Sequence, residues 1–108
     1  MEQTIKRKKR ADRMHAIYRV TCTATAETYI GLTVCAGNTP QKAVAGRWQR
    51  HVTRAMTQAR DWTLCKAIRH HGAEMFVVEV MEKVRGKAQA HQRERELTKE
   101  IGAALNTA

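Results

Sequence analysis

Alternation of apolar and polar side chains marks the first two elements. From His15 to Thr23 the chain is rich in β-branched and aromatic residues, with Ile17, Arg19 and Thr21 on one parity and Tyr18, Val20 and Cys22 on the other. That period of two is a strand signal. Thr28 to Val34 repeats it after a short turn at 24–27, so the two runs predict a β-hairpin. Gly31, inside the second run, marks a place where another group can come close to the backbone.

The period then lengthens. Ala36-Gly37-Asn38-Thr39-Pro40 is loop chemistry, and a helical pattern starts after it. At about 100° per residue, Val44, Trp48, Val52 and Ala55 share one face, which places Arg47, Arg50 and Arg54 opposite and His51 near the boundary. Trp62 to His71 predicts a shorter helix with Trp62, Cys65 and Ile68 at helical spacing, closed by Gly72 as a C-cap. Met75 to Met81 is the most β-like segment and predicts a third strand, central or core-facing. A last helix is predicted from about Lys87 to Gly102. Its apolar stripe is Ala90, Leu97 and Ile101, with Glu94 at the centre of that stripe and Glu96 turned away from it. A carboxylate on an inward face needs a partner, because an unpaired buried charge is costly.

Composition narrows what such a chain does. Its 108 residues, 43% hydrophobic, supply one core and not two. We expect a single domain over 14–108, preceded by a basic arm over 1–13 with almost no apolar material. No run of apolar residues is long enough to span a membrane and no secretory leader is evident, so no membrane partner and a cytoplasmic setting are expected. The three cysteines, odd in number and without C-x-x-C spacing, are expected to be buried or idle thiols.

Charge changes the picture more. The formal net charge is +10, and residues 14–108 alone carry fourteen basic against eight acidic side chains. An excess of that size favours a polyanionic partner, with nucleic acid foremost. Lys8, Lys9 and Arg10 in the arm are candidates to track a phosphate backbone, as are Arg50 and Arg54 on a helix that has no acidic residue between Lys42 and Arg60.

Several residues now fall into a recognisable order: Ala16-Ile17-Tyr18, Tyr29-Ile30-Gly31, Arg47-Trp48-Gln49-Arg50-His51, then Glu94, and Asn106 twelve residues later. In this order and spacing the chain resembles the GIY-YIG nuclease domain of phage and homing endonucleases, some restriction enzymes and the incision subunit of bacterial excision repair. Ala16 stands where the family name has glycine, and Leu32-Thr33 where many members have lysine or serine. The resemblance implies an α+β fold, a small three-stranded antiparallel sheet flanked by helices, in agreement with the β-β-α-α-β-α order predicted above. It also implies hydrolysis of DNA phosphodiesters with one divalent ion, magnesium or manganese, in a bacterial or phage-infected cell.

Carried over residue by residue, the resemblance has Glu94 holding the metal and Tyr18 activating, or taking a proton from, the attacking water. Tyr29 would orient Tyr18 or the phosphate, Arg47 would stabilise developing charge, His51 would assist in proton relay, and Asn106 would brace the site. Free tyrosine is a poor base, so Tyr18 would need a metal or a cation to lower its pKa. Asn106 lies two residues from the end of the sequence, so we expect no appended sequence-reading domain. Specificity would then be slight, or come from DNA structure, a second copy of the chain or a partner protein. The alternative is a non-catalytic nucleic-acid-binding module on the same fold.

Overall fold

The computed structural model describes residues 13–58 and 62–106. Strands β1 (Met14–Cys22) and β2 (Thr28–Val34) form the expected hairpin, in which Ala16 faces Thr33, Tyr18 faces Gly31 and Val20 faces Tyr29. Helices α1 (Pro40–Thr57) and α2 (Thr63–His71) follow, then strand β3 (Phe76–Arg85), helix α3 (Lys87–Ile101) and a 3-10 turn at Ala104–Asn106. All pairing is antiparallel and the spatial order is β2-β1-β3.

The central strand is therefore β1, and β3 is an outer strand. Of the two expected placements, central or core-facing, the second holds: Phe76 is buried and Val78 and Val80 pack against the core, and the strand runs four residues past Met81. Beyond Met81 come Glu82-Lys83-Val84-Arg85, with polar side chains that an outer strand can leave in solvent.

The alternation along β1 divides the core. Ala16, Tyr18, Val20 and Cys22 point to one side and pack with Val44 and Ala55 of α1, Leu64, Cys65 and Ile68 of α2, and Phe76. Ile17 points to the other side and packs with Ile30, Leu97 and Ala103. The result is α1 and α2 on one face of the sheet and α3 on the other. Cys22, Cys35 and Cys65 are free, buried thiols.

Capping explains where the helices start and stop. Thr39 Oγ1 accepts a hydrogen bond from Lys42 N at 3.2 Å, and Pro40 sits in the first turn, where its missing N–H costs nothing. Gly72 ends α2 at φ 89° and Gly102 ends α3 in the left-handed region at φ 68°, both C-cap positions that favour glycine. Trp62 is the residue before α2 and stands 46% exposed, so it belongs to no buried stripe, contrary to the expected spacing. No described helix is long and apolar enough to cross a membrane. The arm residues Lys8, Lys9 and Arg10 lie outside the described residues; Arg13 at its end is tied to the domain by a bond from Gly86 N to its carbonyl, 3.0 Å.

Candidate active site

Tyr18 is the centre of the arrangement. The β1–β3 register shifts between Ile17 and Tyr18, which leaves Met81 as an extra residue on β3, and such a bulge re-aims the side chains beside it. On the other side Tyr18 faces Gly31 of β2, and its ring lies across that glycine. A Cβ at position 31 would overlap Tyr18 Cζ and its hydroxyl, so glycine is what lets the phenol lie there.

Helix α1 supplies the partner. His51 is 5% exposed, and its Nε2 lies 2.9 Å from the Tyr18 hydroxyl. Three aromatic rings surround it: Tyr29 at 5.5 Å and nearly perpendicular, Trp48 at 6.3 Å and Tyr18 at 6.3 Å between centroids. Burial above all, then the positive charges of Arg47, Arg54 and Arg50, push the His51 pKa down to about 4. The ring is neutral at neutral pH, and we assign its Nε2 as the acceptor of the Tyr18 O–H, with the ring proton on Nδ1.

The inward face of α1 is thus the predicted Val44, Trp48 and Ala55, widened by His51 and by Arg47. Arg47 is half-buried beside the two tyrosines and His51 and does not stand opposite the core. Its charge pulls the Tyr18 and Tyr29 phenols down, but burial outweighs it and raises both. Tyr18 is therefore a protonated phenol at neutral pH, so the lowering that a tyrosine base requires is absent from the protein alone. Among the described residues the Arg47 Nε–H is a buried donor with no acceptor, a state that asks for one. Arg54 is half-buried, while Arg50 is on the exposed side of the helix.

Glu94 stands on α3, on the opposite face of the sheet, near enough for its charge to act on both tyrosines. Its side chain is 24% exposed and its Oε1 lies 3.6 Å from His91 Nδ1. Burial raises its carboxyl, against the lowering by His91 and Arg95, and its negative charge in turn raises both tyrosines. Glu96 points away and pairs with Arg93 at 3.1 Å. Asn106 is fixed by two hydrogen bonds to β2: it accepts from Ile30 N and donates to Ile30 O, each at 2.7 Å.

Asn106 lines two cavities. One of about 300 Å³ is lined by Tyr29, Arg47, His51, Arg54 and the Trp62–Cys65 segment with Leu105; the other, about 360 Å³, by Glu94, Arg95, Thr98 and Lys99. The structure so gathers Tyr18, Tyr29, Arg47 and His51 into one cluster, with Glu94 and Asn106 beside it. Arg95, Lys99 and Trp62 are additions that the sequence signalled only as surface or core residues.

The donor set limits what metal fits. No group of three or more His, Cys, Asp or Glu side chains among the described residues could cage an ion. A half-buried carboxylate whose burial disfavours its own charge is suited to a hard divalent ion that takes oxygen ligands and keeps most of its waters.

This fold, a three-stranded antiparallel sheet with α1 and α2 on one face and α3 on the other, is found in solved endonuclease catalytic domains. The chain is similar to the solved catalytic domain of homing endonuclease I-TevI, with a TM-score of 0.67 and 21% identity over 85% of this chain and 92% of that one. It is likewise similar to a glutamate-to-alanine mutant of the catalytic domain of intron endonuclease I-TevI, with a TM-score of 0.68 and 21% identity over 86% and 89%. No protein-family model and no curated protein sequence matches the chain.

Proposed function

We propose that this protein is a DNA endonuclease that hydrolyses phosphodiester bonds with the help of one magnesium or manganese ion, with little sequence preference of its own. The observation that carries this reading is the buried Tyr18–His51 hydrogen bond, 2.9 Å, beside an arginine whose Nε–H has no acceptor among the described residues. A phosphate oxygen would supply that acceptor, and Arg47 would meet the charge that grows on phosphorus during attack.

The proton path follows from the protonation states. Tyr18 Oη accepts a proton from the attacking water while its own proton passes to His51 Nε2, so the phenol acts as a relay and never needs to exist as a free phenolate. The water oxygen forms the new P–O bond as the bond to the leaving oxygen breaks, and that oxygen takes a proton from solvent. His51 is a weak base first because it is buried and then because Arg47, Arg54 and Arg50 face it. A bound phosphodiester offsets those charges and makes the imidazolium easier to form. Tyr29 packs against the His51 ring and Asn106 fixes β2, so both position the relay. Glu94 would hold the divalent ion, which supplies Lewis acidity at the phosphate when bound.

Labelled linear, flap, Y-shaped and four-way DNA incubated with magnesium, manganese or EDTA tests the proposal. Cleavage is expected with metal only, and Arg47→Ala should lose most of it while keeping the fold. Retained DNA binding with no cleavage of any substrate in any metal would establish the alternative, a binding module on a nuclease fold.

A further inference from the structure

The cavity of about 300 Å³ next to His51 is not explained by phosphate chemistry. Its exposed lining is largely apolar, from Tyr29, Trp62, Leu64, Cys65 and Leu105, with His51, Thr63 and Asn106 as neutral polar neighbours. Charge is confined to Arg47 and Arg54. Phosphate oxygens gain nothing from such walls, whereas a flat aromatic ring does. The volume is at the low end for ligand pockets and suits one ring system, not a double helix.

Trp62 adds the second observation. It is the largest apolar side chain left substantially in solvent, 46% exposed, and stands at the start of α2 without capping the helix through its side chain. Exposed aromatics beside arginines form the stacking platforms on which single-stranded nucleic acids lay their bases. The cavity also shares Arg47 with the phosphate site proposed above, so a nucleotide whose phosphate meets Arg47 brings its own base, or the next one, to the cavity mouth. In an intact duplex that base is paired and stacked inward, and reaching the cavity means leaving the stack.

We propose that this Trp62-walled cavity receives an unpaired nucleobase flanking the scissile phosphate, so that the enzyme selects DNA in which that nucleotide is already unpaired. The inference rests on the nuclease reading and specifies its substrate. Stacking on Trp62, and apolar contact with Leu64 and Leu105, hold the base; Arg54 at the cavity holds the adjoining phosphate.

Binding in EDTA separates this inference from catalysis. Trp48→Phe leaves Trp62 as the one tryptophan of the chain, and its emission should change on adding a single-stranded oligonucleotide but not on adding blunt duplex. Trp62→Ala in the otherwise unaltered protein should lose roughly 10- to 100-fold in affinity for single-stranded and flap DNA, and little for duplex. Trp62→Tyr should keep most of it. Because Trp62 is half in solvent, unfolding is not the expected effect of either change, and circular dichroism checks this. Equal affinity of wild type and Trp62→Ala for single strands, or an equal loss on single strands and duplex, would overturn the cavity assignment. Absence of cleavage by the wild type on every substrate would overturn the nuclease reading instead.

Discussion

Acidification should weaken this fold in a way that traces to one histidine. His51 has its pKa lowered from 6.5 to about 4, burial being the main cause. The unfolded chain takes up this proton near pH 6.5 and the folded protein does not until near pH 4. Stability that is complete above pH 6.5 is therefore lost as pH falls through that window, and levels off below it. The difference between 6.5 and about 4 corresponds to at most about 3 kcal/mol, a large part of the 5–15 kcal/mol that holds a small domain together. The comparison that isolates it is His51→Gln, whose amide oxygen can still accept from Tyr18 but does not titrate. Urea unfolding at intervals from pH 7.5 to 4 should show the wild type losing about 3 kcal/mol more than the variant, while the other titrating groups cancel. The His51 ring resonance should titrate near pH 4 in the free protein and higher with bound DNA, once phosphate offsets Arg47 and Arg54. Parallel stability curves, or a ring that titrates at 6.5, would refute both the neutral state of His51 and its role as the Tyr18 acceptor.

Two further outcomes bear on the site. Glu94→Gln keeps size and removes charge, so cleavage should fall by orders of magnitude. Stability measured in EDTA at neutral pH should hold or rise, because a carboxyl whose pKa is raised on folding costs stability as pH rises from the unfolded value to the folded one, and the cost is complete above it. Glu96→Gln, on the exposed side of α3, should cleave nearly normally, and the reverse pair of results would show that the metal is held elsewhere. Gly31→Ala places a methyl where the Tyr18 ring lies, an overpacking of roughly 1–3 kcal/mol. Its displacement of the phenol from His51 should cost about 100-fold in kcat; a thermal melt and a cleavage assay measure the two, and full activity would mean that Tyr18 need not lie across β2.

The parts of this molecule that were legible in its sequence are those where local pattern and final environment agree. The hairpin is one, since alternation in β1 follows its two buried faces. Glu94 is another, because α3 carries an ordinary apolar stripe that the carboxylate interrupts. Helix α1 misleads for the opposite reason. Its inward face carries Arg47 and His51 beside Val44, Trp48 and Ala55, so a rule that assigns polar side chains to solvent finds the apolar part and draws the face too narrow, and Arg47 is expected outside when it stands beside Tyr18. Trp62 misleads in the other direction, a large apolar side chain left in solvent. The order β2-β1-β3 depends on which strand β3 selects across more than fifty residues, and no local pattern encodes that choice. The cavity shared by α1, α2 and the 3-10 turn arises only when three distant segments meet.

Asn106 has a bearing on how molecules of this protein stay apart. β2 is an outer strand, and an outer strand offers peptide groups to any extended segment that drifts past. The paired hydrogen bonds from one amide side chain to Ile30 N and O occupy the middle of that edge much as a neighbouring strand would. The side chain thus acts as a stopper against strand addition. Its loss would leave a seam along which two copies could zip together, and self-association would then accompany any disturbance of the site.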